Sequence, residues 1–336
     1  MEKITIADVA SKAGVSKSTV SQFLNQRYEY MGTDTRKKIE EAIAALGYRP
    51  NALARGLKQK RTSTIGVIVA NIMVHLSTEI CRAIEDFFQE QDMNVILCNT
   101  DEDADKEKKY IEMLLAKQVD GIILFPTGNN GALYKKLIKQ QFPLVFVDRK
   151  VEGLKVDTVV VNNRESVYEA VSHLHSQGHR RIAMIAPPLT ISSRMERMEG
   201  YKQALKDLGL EGDPELGISA EIPNIRSRLE LLFAKDRVPT AIIGANDLVL
   251  LEVLDFVKQR AIRVPEELAL IVFDNIPFAH LSTPSLTTIS QPSKDMGRKA
   301  AELLLQQIRT PGESEPKEHR FECRLIIRES SGRTSP

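Results

Sequence analysis

Over most of the chain the apolar residues fall in short unbroken runs instead of alternating with polar ones. Ile65–Val69, Val95–Cys98, Gly121–Phe125, Leu144–Val147, Thr158–Val161, Ile182–Ile185, Ala241–Gly244 and Leu268–Val272 each read as a strand. A strand covered on both faces has no polar side to show, so unbroken runs point to parallel strands flanked by helices. Segments such as 79–91, 165–177, 196–208 and 247–260 carry apolar residues at helical spacing and complete a βα alternation. The pattern predicts an α/β core over 62–336, built as two doubly wound parallel-sheet lobes.

The first fifty residues follow a different rhythm. Ile6, Val9, Ala10 and Ala13 share one face of a short helix that Gly14 can end in a left-handed conformation. Ser16 is placed to cap a second helix, Lys17 to about Leu24, which turns Val20, Phe23 and Leu24 inward and leaves Lys17, Ser18, Ser21 and Gln22 outside. A third helix, about Asp34 to Leu46, buries Ile39, Ala42, Ile43 and Leu46 and stops at Gly47. Two short helices at a tight glycine turn make a helix-turn-helix, whose second helix presents its first residues to the major groove. The reading is an all-α headpiece over 1–50, a hinge over 51–61, and the core beyond. The hinge segment is too short and too interrupted by Gly56 for a stable isolated helix, which suits a segment that folds on its target.

Charge sharpens this division. The chain carries a net charge of +1, but residues 1–62 hold twelve Lys/Arg against six Asp/Glu, which leaves the remainder net acidic. A basic module on an acidic body localises polyanion binding to one end. No apolar run is long enough for a membrane span, the opening residues turn polar at once, and the three cysteines (Cys81, Cys98, Cys323) lie far apart. A cytoplasmic protein with free thiols and no membrane partner is expected.

Ligands in doubly wound sheets sit beyond the carboxyl ends of the strands. The residues that follow the predicted strands are polar: Asn71, Asn99-Thr100-Asp101, Asp148-Arg149, Pro187 to Ser193, Asn246-Asp247 and Asp274-Asn275, with Arg194 and Arg197 close behind. Each taken alone is also an ordinary strand-end cap or turn former. Together, carboxylate, amide and guanidinium groups suit a polyhydroxylated ligand. Arg149, Arg194 and Arg197 offer planar forks for a carboxylate, so an anionic sugar derivative is expected. A neutral sugar is the alternative if Arg149 and Arg194 pair with neighbouring acids.

Thr5-Ile6-Ala7-Asp8-Val9-Ala10, Ala13-Gly14-Val15-Ser16, Ser18-Thr19-Val20-Ser21 and Leu24-Asn25 closely resemble the headpiece signature of the lactose-repressor (LacI/GalR) family. Gly47-Tyr48-Arg49-Pro50-Asn51, Ala54-Arg55 and Leu57 resemble its hinge. Gly178-His179-Arg180-Arg181-Ile182-Ala183, Arg197-Met198-Glu199-Gly200-Tyr201, Ala245-Asn246-Asp247 and Pro284 to Ile289 extend the likeness through the core. The loop Arg27 to Met31 looks similar to that of the family's sugar-acid (ketodeoxygluconate-type) regulators.

The resemblance implies a periplasmic-binding-protein-like core and a homodimeric, non-enzymatic repressor of carbohydrate or sugar-acid utilisation genes. Such a protein reads a palindromic double-stranded operator and answers to a small-molecule effector. The implied DNA contacts are Thr5, Ser16, Lys17, Ser18, Thr19, Ser21, Gln22, Asn25, Tyr48, Asn51, Ala54, Leu57 and Lys58. Lys17, Ser18 and Gln22 face base edges, and Leu57 wedges into the minor groove. Gln22 stands where some relatives carry Arg, which favours adenine as its partner. The implied effector contacts are Asp148, Ser193, Arg197, Asn246 and Asp274, and the strand-end reading adds Asn71, Arg149 and Arg194. The resemblance also implies crossings between lobes near Asn162, Gln291 and Glu322, giving an N-lobe of about 62–162 and 291–322 and a C-lobe of about 163–290 and 323–330. Without a leucine heptad at the C-terminus, a dimer is expected over a tetramer.

Other chemistries find less support. His173, His175 and His179 lack a carboxylate or cysteine at ligand spacing, and Gly178 reads as a helix cap, so no metal is expected. The acidic run Asp101 to Asp105 reads as the charged start of a helix, without the spacing or glycine of a calcium loop. No phosphate-binding glycine loop or nucleophile elbow follows any strand, so no nucleotide cofactor or hydrolase is expected.

Overall fold

The computed structural model describes residues 4–48, 62–210, 213–313 and 315–332. Contacts divide the chain into two units, residues 1–62 and 63–336. Of the expected hinge contacts, Asn51, Ala54, Leu57 and Lys58 lie outside the described residues.

The first unit contains helices α1 (Ile6–Ala13), α2 (Lys17–Leu24) and α3 (Thr33–Leu46). Both glycine stops form as the pattern predicts. Gly14 takes φ 67°, its N–H bonds Ser11 O, and the next N–H bonds Ala10 O, which closes the end of α1. Gly47, at φ 59°, ends α3 in the same way. At the other end of α1, the Thr5 N–H and hydroxyl both donate to Asp8 Oδ2 at 2.7 Å. Val9, Ala10, Ala13, Val20, Ile39 and Ala42 form the small core, with Phe23, Leu24, Ile43, Leu46 and Tyr48 packed at its edge.

The second unit holds two six-stranded sheets. In the first, β1 (Thr64–Val69), β2 (Asn94–Asn99), β3 (Gly121–Leu124), β4 (Leu144–Val147), β5 (Asp157–Val161) and β11 (Glu318–Phe321) lie in the order β11-β5-β4-β3-β1-β2. In the second, β6 (Ile182–Ala186), β7 (Gly217–Ser219), β8 (Ala241–Gly244), β9 (Ala269–Phe273), β10 (Thr287–Ser290) and β12 (Arg324–Ile326) lie in the order β12-β10-β9-β8-β6-β7. Each sheet steps outward once and then back, leaving a switch point beside its first strand.

Helices cover both faces, as the unbroken apolar runs require. Ile65, Val67 and Val69 pack under α4 (His75–Gln89) and α11 (Ser293–Arg309), whereas Ile68, Ile122 and Leu124 face α5 (Ala104–Ala116) and α6 (Gly131–Lys139). In the second lobe, Ile182 and Met184 meet α7 (Asn163–Ser176) and α8 (Ser192–Asp207), while Ala183 and Ile185 meet α9 (Ile222–Phe233) and α10 (Asp247–Gln259).

The chain changes lobe between Val161 and Asn163, between Ser290 and Ser293, and between Phe321 and Arg324. All three changes occur at carboxyl ends of strands, where the two lobes face one another. One departure from the expected all-parallel sheets follows. β12 runs antiparallel to β10, with Ile289 opposite Leu325. A strand that leaves the first sheet at its cleft end and continues directly must enter the second sheet against that sheet's direction.

Two further corrections concern helix starts. The helix expected from 79 begins at His75, and the one expected from 196 begins at Ser192. Their first turns face the cleft and carry polar residues, so the apolar periodicity starts a turn late. No helix among the described residues is long and apolar enough to cross a membrane.

Candidate functional site

The headpiece presents one consistent surface. Ser16 caps α2, its Oγ accepting the Thr19 N–H at 3.1 Å and sharing a hydrogen bond with Thr19 Oγ1 at 2.8 Å. Asn25 donates to Ser21 O at 2.6 Å and so closes the other end of α2. These bonds hold the helix while leaving its outer face clear. Lys17, Ser18 and Gln22 are exposed, and none makes a side-chain hydrogen bond among the described residues. Thr5, Ser16, Thr19, Ser21, Asn25 and Tyr48 surround that face with exposed or half-buried polar groups. The following loop is anchored by Tyr28, whose ring meets Phe23 edge-on and carries the Arg36 guanidinium 3.7 Å above it.

In the core, a polar cavity between the lobes is lined by all eight expected residues: Asn71, Asp148, Arg149, Ser193, Arg194, Arg197, Asn246 and Asp274. Strand topology explains the convergence. Asp148 follows β4 and Asp274 follows β9, equivalent strands of the two sheets. Both take left-handed backbone (φ 67° and 86°), a conformation that Asp tolerates better than most residues. Each N–H donates at 2.9 Å to the neighbouring strand, Asp148 to Val159 O and Asp274 to Ile289 O. Both residues line the cavity between the lobes. Ser193, Arg194 and Arg197 come from the first turns of α8, and Asn246 caps α10 through its Oδ1, which accepts the Val249 N–H at 2.9 Å.

Arg197 is buried. Its Nε donates to Asn163 Oδ1 at 2.8 Å and its Nη1 to Ala245 O at 2.6 Å, while the guanidinium carbon lies 3.5 Å over the Phe273 ring. Burial pushes the Asp274 carboxyl up to about 7, and Asp247 and Asp148 push the same way against Arg197 and the Gln291 amide. Asp148 Oδ1, Asp274 Oδ2, Asn246 Nδ2, Asn71 Nδ2, Ser193 Oγ and Arg197 Nη2 have no hydrogen-bond partner among the described residues. The cavity therefore offers both acceptors and donors, a set that suits hydroxyl groups.

The other two arginines differ from expectation. Arg149 donates to both oxygens of Glu102, Nη1 to Oε2 at 2.8 Å and Nη2 to Oε1 at 2.7 Å, and its Nε reaches Asp148 Oδ2 at 3.1 Å. Arg194 donates to the same Glu102 Oε1 at 2.7 Å and to Pro188 O at 3.2 Å. The forks expected to be free for a ligand carboxylate are already on a protein one. Glu102 was missed because the strand-end reading stopped at Asp101 and the acidic run was assigned to a helix start. Asp103 does cap α5, accepting the Asp105 and Lys106 N–H groups at 2.8 and 2.9 Å. Glu102 does something else.

The cavity encloses about 40 Å³, room for a water molecule and too little for a sugar. Bonds across the cleft hold it narrow: His75 N–H to Asp247 Oδ2 at 2.7 Å, Lys150 N–H to Ser192 Oγ at 2.8 Å, and Lys150 Nζ to Glu196 at 2.7 Å. A sugar held by all eight residues requires the lobes to part, and a wider cleft of about 330 Å³ adjoins the cavity at Leu76 and Asp274. Of the histidines read against a metal, His173 Nε2 meets Ser331 Oγ at 2.9 Å and His179 Nδ1 meets Thr240 Oγ1 at 3.0 Å.

A helix-turn-helix unit joined to a two-lobed, periplasmic-binding-protein-like core defines a class of DNA-binding regulator with an effector domain. Sequence comparison agrees on both parts. Residues 5–51 match the family described as bacterial regulatory proteins, lacI family, and residues 171–331 match the periplasmic binding protein-like domain. The chain is 45% identical over 307 residues to the probable HTH-type transcriptional regulator EndR of Paenibacillus polymyxa, covering 90% of each. It is 34% identical over 330 residues to the HTH-type transcriptional regulator KdgR of Bacillus subtilis, covering 97% of each. Among solved structures, it matches the lac repressor dimer bound to operator and the anti-inducer ONPF (TM-score 0.86, 25% identity, 98% of this chain and 100% of that one). It also matches a complex of the transcriptional regulator CelR with cellobiose (TM-score 0.72, 28% identity, 97% of this chain and 99% of that one). The chain belongs to the LacI family of transcriptional regulators.

Proposed function

We propose that this chain is a cytoplasmic, homodimeric repressor of carbohydrate-utilisation genes that reads a palindromic operator, with its DNA affinity set by a polyhydroxylated effector held between the lobes. The observation that carries the reading is the cavity itself. Eight residues from five separate strand ends and helix starts meet there, and the polar atoms they leave without partners among the described residues suit hydroxyls. In the headpiece, Lys17, Ser18 and Gln22 contact base edges, while Thr5, Ser16, Thr19, Ser21, Asn25 and Tyr48 contact the backbone around them. The hinge positions Asn51, Ala54, Leu57 and Lys58 complete the contact on the minor-groove side.

An apolar surface patch supports a dimer. Leu251, Phe278 and Leu281 are exposed (52%, 42% and 73%) beside the apolar cluster of Leu250, Ile276, Ala279 and Leu286. A patch of this kind on a water-facing surface favours a partner. A neutral effector is favoured over an acid because Arg149 and Arg194 are both engaged by Glu102. The CelR relative, solved with cellobiose, makes cello-oligosaccharides the first candidates.

The test is a footprint of the purified full-length chain on the DNA upstream of its own operon, with and without a panel of neutral sugars and sugar acids. A protected palindrome whose occupancy changes with one sugar is expected. Protection with no symmetry, or with no response to any sugar, argues against the reading.

A further inference from the structure

We propose that Glu102 is the residue that fixes the charge of the ligand: it occupies the cleft's two-arginine carboxylate site from within, so the cavity accepts neutral polyols and rejects sugar acids. The proposal rests on the cleft being a carbohydrate site. The geometry is that of a bound carboxylate. Both Glu102 oxygens meet the fork of Arg149, and one of them also meets Arg194 from the opposite lobe, every distance being 2.7 or 2.8 Å. Such bidentate pairing is the arrangement by which arginine recognises an external carboxylate or phosphate.

Three further observations assign the role to this glutamate. Glu102 holds a left-handed backbone (φ 63°), strained for its type, and the preceding Asp101 does the same (φ 54°). That turn diverts the side chain from the solvent, where Asp101 pairs with Lys106, back into the cleft. Glu102 also lines the same cavity as the polar set that suits hydroxyls. Finally, the arginines need an anion. Burial works against the charge on Arg149 and Arg194, and Arg149 further disfavours Arg194, while Glu102 opposes this at both. Burial likewise pushes the Glu102 carboxyl up, but Arg149 and then Arg194 outweigh it and hold the group below its ordinary range.

An acid ligand would have to expel Glu102, leaving a carboxylate without partners beside Asp148. A neutral sugar leaves the trio intact and binds the remaining atoms. Taking the glutamate away opens a site already shaped for an anion.

The experiment uses the full-length chain, its Glu102→Ala variant and its Glu102→Gln variant. Calorimetry measures D-glucuronate and D-gluconate against D-glucose and D-glucitol, and circular dichroism confirms folding of each protein. Removing the glutamate charge is expected to tighten acid binding about tenfold or more relative to the matched neutral compound. Adding Arg149→Met to Glu102→Ala is expected to abolish the gain. Acids that bind the unmodified chain as tightly as the variants, equal shifts for acid and neutral compounds, or no acid binding by either variant overturn the proposal. Neutral-sugar binding in that last case leaves the cleft reading standing, whereas its absence removes both.

Discussion

At the residue scale, buried charge separates three arginines that look alike in the sequence. Arg197 is fixed by Asn163, Ala245 and the Phe273 ring, with one amino group directed into the cavity, whereas Arg149 and Arg194 neutralise Glu102. Sequence spacing brought all eight cleft positions into one list because strand ends converge by topology. It was blind to Glu102 because pairing depends on a turn at positions 101 and 102 that no periodicity records.

Asp274 leads to a pH prediction. Its carboxyl titrates near 7 in the folded protein against 3.8 for the free group, chiefly because it is buried. Between pH 4 and 7 the folded state keeps a proton that the unfolded chain has lost, so this group's contribution to stability falls as pH rises through that window. In Asp274→Asn the slope is removed, and the variant should gain on the parent steadily from pH 4.5 to 7. Urea unfolding at several pH values reads this directly. Parallel curves would contradict the assignment.

In the headpiece, Gln22 is exposed and makes no side-chain hydrogen bond among the described residues, and its amide suits adenine. Gln22→Ala should weaken operator binding by about 1–3 kcal/mol and leave random-sequence DNA nearly unaffected. Anisotropy titrations on the two DNAs separate these outcomes.

At the scale of elements, the helices of the first lobe approach one another through glycine. A Cβ at Gly297 in α11 would lie 2.7 Å from Ile80 O and 2.8 Å from Ala83 Cβ in α4. Both neighbours are too stiff to give way cheaply, so Gly297→Ala should destabilise the core by about 1–3 kcal/mol. A Cβ added at Gly131, at the start of α6, would meet nothing within 4 Å, and Gly131→Ala should be close to neutral. Comparing the two by thermal unfolding separates a packing requirement from a general intolerance of substitution.

The same scale shows where the sequence was legible. Strands such as Ile182–Ala186 and Ala241–Gly244 announce themselves because every residue is buried. β10 is also well buried, but it reads Thr-Thr-Ile-Ser, and its threonine hydroxyls have partners distant in sequence: Thr287 Oγ1 lies 2.7 Å from Ser331 Oγ and Thr288 Oγ1 donates to Asn275 Oδ1 at 3.0 Å. β11 alternates between exposed and half-buried positions and β12 has no fully buried residue, both at sheet edges. Polar strands held by long-range partners leave no local signature.

At the scale of the whole molecule, the lobes are joined by a small number of hydrogen bonds across a cavity too small for a sugar, so ligand binding and lobe separation are one event. A ligand shifts such an equilibrium only by its differential affinity for the two arrangements. On the proposed reading, that shift is felt at the DNA. The most direct test is the operator affinity of the full-length chain and its Arg197→Met variant, measured by anisotropy against salt and against a panel of neutral mono- and disaccharides. The account predicts a log–log salt slope of roughly −5 to −9, as two basic headpieces displace counterions. It also predicts that one sugar changes operator affinity about tenfold or more in the parent and leaves Arg197→Met unmoved. A flat salt dependence, or a sugar response that survives intact in Arg197→Met, would contradict it.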